Sequence, residues 1–546
     1  MRLIHTSILA CLLIGQMAFA AAAAEDQRES SQPQRPIEQR EFRGLQTVDW
    51  IVIGVYGVSM IGLGWFYSRR QSSTEEYFLA GRRTKSFIAG ISLFATLLST
   101  ISYLGTPGEI IKNGPIFFAG CLAAPLVYLV VGYVVIPILM RVPVTSAYEL
   151  LESRVGLAVR LLGSLTFMAT RLVWMALLLY LSAKALVVML GWDLAAVPCV
   201  IAVLGVIAVI YTTLGGLRAV MVTDVVQFFI LFSGALLTIG CITAKLGGIG
   251  AWWPTDWSSH WAPQPLFSLS PTVRVTLVGS MVYYFLFWVC ASVSDQVTIQ
   301  RYLSTCDAKT ARRAFLTSII ADLLVMVLLM LTGLALLGFF QHYPAFLPEG
   351  RDPLGNADFL FPHYIANFLP VGIAGLVVSA MLAAAMSSLD SGLNSITTVF
   401  SVDVLGRFGD PTRSDRSRLR IARGLTFGLG ALVVFLACFI GMIPGNIFEV
   451  AVKSMGLFFA PLAGIFIMAL FVPWANGIGT IIGAACGFAT ALLVAYWDVI
   501  TGGPTLSFQW ITPCALIVHV AVGSLISALP MKRVSNRASE PKRSRH

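Results

Sequence analysis

Apolar runs of about twenty residues recur along this chain, separated by short polar stretches. They lie at roughly 48–68, 86–106, 116–140, 161–186, 195–214, 220–244, 273–294, 315–340, 371–404, 421–442, 446–472, 477–499 and 511–530. Each is long enough to cross the hydrocarbon of a bilayer as a helix. A helix also satisfies its own backbone polar groups there, which an open strand does not. The pattern predicts an all-α polytopic membrane protein of about thirteen helices, with residues 46–530 as its membrane domain.

The two ends break this pattern. Arg2, a short apolar core and small residues at Ala18, Ala20 and Ala22 give residues 1–24 the form of a secretory signal peptide. Residues 25–45 are polar and aperiodic, the expectation for a disordered exported tail. Residues 531–546 form a basic tail.

Composition agrees: 57% of the 546 residues are hydrophobic and 12% are charged. A soluble domain carries about 25% charged residues. The net charge of +10 does not point to nucleic acid, because the basic residues sit between spans. It reports topology instead. A signal peptide places the first mature span's start outside. The loops 69–85, 141–160, 215–220, 299–314 and 405–423 and the tail then fall inside, and hold 25 Lys and Arg. The opposite side holds six. The two signals are independent, and together they predict an N-terminus outside and a C-terminus in the cytoplasm, in the plasma (inner) membrane. The nine cysteines form no CxxC or Cys/His pattern, and the histidines are scattered, so no disulfide framework or metal cluster is expected.

Some spans carry more oxygen than lipid tolerates. In "AAAMSSLDSGLNSITTVF", residues 383–400, an apolar half runs into Ser387, Ser388, Asp390, Ser391, Asn394 and Ser395 with no turn signal. Small hydroxyls pack helix against helix in membranes, which accounts for the serines. It does not account for Asp390, since a carboxylate at helix centre costs about 2.5–3.5 kcal/mol and requires a partner or a wet cavity. Span two is apolar, then polar at Ser99, Thr100 and Ser102, then punctuated by Gly105, Pro107 and Gly108. It either ends near Leu104 or is a broken helix lining a cavity. Asp224 lies about two turns beyond Gly216, as an ion ligand or a salt-bridge partner. Arg218 and Arg301 read as interfacial anchors. Arg171 sits about 15 Å into span four, near the midplane. It either grips an anionic substrate or pairs with Asp390 or Asp224.

The stretches "YFLAGR" (77–82), "TSAYELLESR" (145–154), "YTTLGGLRAVMVTDVVQ" (211–227), "QRYLS" (300–304) and "AAAMSSLDSGLNS" (383–395) occur in this order. Together they resemble the sodium:solute symporter family, over about residues 49–471. One departure is "MVTD", where many members carry a tryptophan before the Thr-Asp pair. The resemblance implies a LeuT-type fold, with inverted five-helix repeats at about 86–245 and 273–472. It implies a sodium site from the carbonyls of Ala95, Leu98 and Ala384 and the hydroxyls of Ser387 and Ser388. A candidate second sodium would take Asp224, Ser387, Asp390 and Ser391, with Asp390 standing where those members have serine. Substrate would meet Ser102, Tyr103, Arg171, Tyr284 and Phe458.

The expected function is sodium-coupled secondary symport of a small organic solute by alternating access, the solute being a monocarboxylate-like anion or a sugar. No cofactor beyond the coupling ion is expected. The expected partners are the solute, sodium and the lipid bilayer, and the oligomeric state is left open. Two other classes compete. A sensor or passive channel on the same scaffold would lack coupled uptake. A membrane enzyme would need a nucleophile–base or metal constellation that the scattered histidines do not supply.

Overall fold

The structure is a computed structural model that describes residues 44–69, 73–142, 144–261, 265–347, 357–408, 414–441 and 447–530. The expected signal peptide, nearly all of the exported tail, and the basic tail lie outside the described residues. Among the described residues every regular element is helical, and ten helices are long and apolar enough to cross a membrane.

Helix α1 is Thr47–Ser68. Helices α2, Ser86–Leu97, and α3, Thr100–Asn113, form a bent pair at 63°. The bend has a local cause. Leu98 and Ser99 are extended, at φ/ψ of -75/133° and -125/168°, and Ser99 Oγ caps α3 by accepting from Ser102 N. Span two is therefore broken rather than ended. Helix α4 is Ile116–Leu139 and α5 is Leu157–Met189.

Helix α6 runs Val197–Leu246, interrupted at Gly216 with φ 57° and ψ -175°. Only glycine adopts that conformation without strain. The break is a reversal. In a straight helix Tyr211 and Asp224 would stand roughly 20 Å apart. Here Tyr211 bonds Asp390 and Asp224 bonds Ser387, which are one turn apart on a single helix.

Helices α7, Leu277–Ser294, and α8, Gln296–Leu303, are a second interrupted pair joined at Asp295. This break was not anticipated from the sequence, where span seven simply ends at 294. Helix α9 is Ala308–His342, α10 is Ile373–Val399, α11 is Asp415–Ile440, α12 is Ile447–Phe471, α13 is Gly477–Ala495 and α14 is Ile511–Ala528. The large loop between α9 and α10 contains a further helix, Ala357–Phe368.

Helix α10 is the axis. The most apolar window of its span Ile373–Leu405 is 100% buried, against 17% for α1 and 22% for α11. Its hydroxyls and Asp390 therefore face protein on every side. This resolves the cost of so much oxygen in one span, because none of it meets lipid.

Candidate functional site

The break between α2 and α3 faces the polar turn of α10. Ser388 Oγ sits 2.9 Å from the carbonyl oxygens of both Thr96 and Leu98. Its single proton serves one of them at a time. Two carbonyls and a hydroxyl thus converge at an interrupted helix, the setting in which freed backbone oxygens meet an ion. The expected ligands Leu98 and Ser388 are brought together. Ala95 and Ala384 are buried one turn away on the same two helices. Thr96 is an addition that the sequence did not single out.

Ser387 turns the other way and donates to Asp224 Oδ1. Asp224, fully buried, also accepts from Ser92 Oγ at 2.5 Å and from Arg301 Nη2 at 3.4 Å. Arg301 donates further to Ser92 Oγ at 3.0 Å, to Val297 O at 2.8 Å and to Ser391 Oγ. The sequence expectation of an interfacial anchor is wrong for Arg301: it is 1% exposed. The reason is Asp224, whose buried charge holds a cation from the facing helix. Of the four candidate second-sodium residues, Asp224, Ser387 and Ser391 share this network. Asp390 stands beside it, accepting from Tyr211 OH at 2.8 Å and from Ser391 N at 2.7 Å.

Arg171 has neither of its expected acidic partners. It pairs with Asp295, in the break between α7 and α8. Asp295 also caps α8 by accepting from Val297 N at 3.1 Å. Both partners are nearly fully buried. Phe458 lines a small crevice with Arg171. The other substrate candidates are spread out. Tyr284 points to Asp322 on α9 at 2.8 Å, Tyr103 is buried against Phe361, and Ser102 Oγ lies 3.4 Å from Ser99 Oγ.

The quoted motifs converge on these breaks. Gln300 Nε2 donates to Phe78 O at 2.5 Å, Asn394 Oδ1 at 2.9 Å and Thr398 Oγ1 at 3.0 Å, while its Oε1 accepts from Ser395 at 2.7 Å. The Thr145–Tyr148 loop is fastened to the second break. Gln296 accepts from Ala147 N at 2.8 Å and donates to Thr145 O at 2.9 Å, and Tyr148 OH donates to Ser294 O at 2.9 Å. Asp403, buried at the end of the central span, takes bonds from Ser146, Ser164 and Arg160. Of these, only Ser146 lies in a quoted motif.

Comparison with known proteins follows the same lines. The model of the sodium:solute symporter family matches residues 77–487. The sodium/sialic acid symporter NanT of Aliivibrio fischeri is 30% identical over 460 residues, 83% of this chain and 89% of that protein. The sodium-dependent multivitamin transporter of Oryctolagus cuniculus is 30% identical over 83% of this chain and 71% of its own length. A solved structure of a Na+-coupled sialic acid symporter, substrate-bound and outward-open, superposes with a TM-score of 0.76 at 27% identity, covering 88% of this chain and 97% of that one. The chain thus belongs to the sodium:solute symporter family: it is a multi-pass membrane transporter with sodium as its coupling ion, and not an enzyme.

Proposed function

We propose that the protein imports a small organic solute with sodium through thirteen spans, N-terminus outside and C-terminus inside. Ten helices meet the length and apolarity needed. The bent α2–α3 pair, the reversal at Gly216 and α12 bring the number to thirteen. The two interrupted pairs open two halves, about 86–245 and 273–472, which fits inverted repeats with their sites beside broken helices. The imbalance of 25 basic residues against six supports the orientation.

The observation that carries this reading is Ser388 Oγ at 2.9 Å from two carbonyls at the first break. In our reading sodium takes Leu98 O, Ser387 and Ser388, with Ala95 and Ala384 adding carbonyls. Ser387 would turn from Asp224 to reach it. Sodium then holds the outer side open, the solute closes it, and both leave inward as the halves rock. A second sodium would sit among Asp224, Ser387, Asp390 and Ser391. There two buried carboxyl groups meet the Arg301 guanidinium, and their oxygens are the hard ligands a cation needs.

We place the solute beside α3, α5, α7 and α12, where Ser102, Tyr103, Arg171, Tyr284 and Phe458 lie, and assign it to the organic anions or sugars. Relatives named for sialic acid, a sugar that is also an acid, are compatible with both classes. The test is uptake of labelled N-acetylneuraminate, glucose, pyruvate and biotin into proteoliposomes under an inward sodium gradient. Accumulation of one of them above its external concentration, abolished when choline replaces sodium, is the expected result. Equilibration without accumulation would instead mark a passive channel, and sodium-dependent binding without uptake a receptor.

A further inference from the structure

An aromatic wall leads away from Arg171. The guanidinium lies 5.9 Å from the Phe459 ring, which lies 5.8 Å from Phe287. Phe287 is 6.4 Å from Trp288, and Trp288 is 6.1 Å from Tyr284. At the far end Tyr284 OH donates to Asp322 Oδ2 at 2.8 Å. Asp322 is 6% exposed. It stands roughly 21 Å along α9, with about 30 Å of helix beyond it, and so at membrane depth.

This carboxylate is underprovided. It has room for about four hydrogen bonds. Among the described residues Tyr284 is its one donor, and no Lys, Arg or His reaches it. One turn earlier on the same helix, Ser318 Oγ is buried without a partner among the described residues. An acid at this depth requires compensation. At the other end of the wall the charge of Arg171 is already met by Asp295. Asp322 is therefore a buried carboxyl with spare hydrogen-bonding capacity, bonded to a residue, Tyr284, that the symport reading assigns to the solute.

We propose that Asp322, with Tyr284, is a solute subsite that receives a hydrogen-bond-donating group, either an ammonium or adjacent hydroxyls. The inference rests on the symport reading and adds a requirement to it. Whatever acid group the solute carries, it must also present N–H or O–H donors to α9. A donor-free carboxylate or a quaternary amine would leave Asp322 as poorly served as before.

Thermal melts of the purified full-length chain test this, with and without sodium. Three probes carry donors: N-acetylneuraminate, glucose and ethanolamine. Two do not: pyruvate and tetramethylammonium. The wild type is compared with Asp322→Asn, nearly equal in size, and Asp322→Leu. The expected result is sodium-dependent stabilisation by at least one donor-bearing probe, with its midpoint raised tenfold or more in Asp322→Asn. Glucose or N-acetylneuraminate as that probe identifies hydroxyls, and ethanolamine identifies an ammonium. The melting shift from sodium alone should persist in the variants, which also verifies their fold; if Asp322→Leu does not fold, Asp322→Asn carries the test. Equal midpoints in wild type and Asp322→Asn overturn the assignment. So does stabilisation by pyruvate or tetramethylammonium alone, or by no donor-bearing probe. Absence of a sodium shift in the wild type would instead sink the symport reading itself.

Discussion

Arg171 shows how much one residue discloses in a sequence and what it withholds. Its depth in span four dictates a partner, because an unpaired midplane cation is too costly to persist. The identity of that partner does not follow. Asp295 is 124 residues away and reaches Arg171 only because α7 stops and α8 restarts at that residue. A continuous span seven would have left Asp295 at the cytoplasmic edge. Arg301 was misread for the same reason, since its acceptors lie on α2, α6 and α10. Arg171→Gln should strand Asp295 and cost about 3–5 kcal/mol, the usual penalty for breaking a buried pair from one side. Adding Asp295→Asn should return much of that loss, since the two residues are in contact and their effects are not additive. Melting temperatures of wild type, both singles and the double read this directly. A double mutant no more stable than Arg171→Gln would mean that the pair is not what holds Arg171.

Elements were legible to different degrees. Long apolar runs located the membrane helices, with ends off by up to about seven residues, because hydropathy over twenty residues is a strong signal of a span and a weak one of its ends. The helix Ala357–Phe368 was not visible, being too short and lying in a polar loop. Of the two interrupted pairs, the first announced itself through Ser99 and the glycines beyond it. The second rests on Asp295 alone, and "SDQ" differs little from an ordinary helix end. A loop was expected at 215–220, but only Gly216 departs from helical geometry. Gly216→Ala should therefore cost about 1–3 kcal/mol of strain and lower the melting temperature. At Gly215 an added methyl would meet Ala219 Cβ at 2.4 Å, a side-chain clash rather than a backbone one. A melting temperature unchanged in Gly216→Ala would show that the reversal does not depend on that backbone conformation.

At the scale of the molecule, five weak motifs became one statement once the fold joined them, since Gln300, itself in one of the stretches that carry the resemblance, bonds to two of the others. The candidate ion ligands were legible only as what the family resemblance implies. The direction in which each hydroxyl turns was not legible, and Ser387 and Ser388 face different partners. Orientation can be checked with an impermeant thiol reagent on intact cells. In a background without other cysteines, Ser258→Cys should be labelled from outside and native Cys306 should not; the reverse pattern would invert the topology. The account stands most directly on sodium binding at the first break. A sodium titration of melting temperature, with potassium as control, should show saturable stabilisation of the wild type, about 1.4 kcal/mol at ten times the dissociation constant. Ser388→Ala should move the midpoint about tenfold upward, and Ser395→Ala, which bonds Gln300 instead, should lower the melting temperature with its sodium midpoint unchanged. Equal stabilisation by potassium, or one midpoint shared by wild type and Ser388→Ala, would contradict the site.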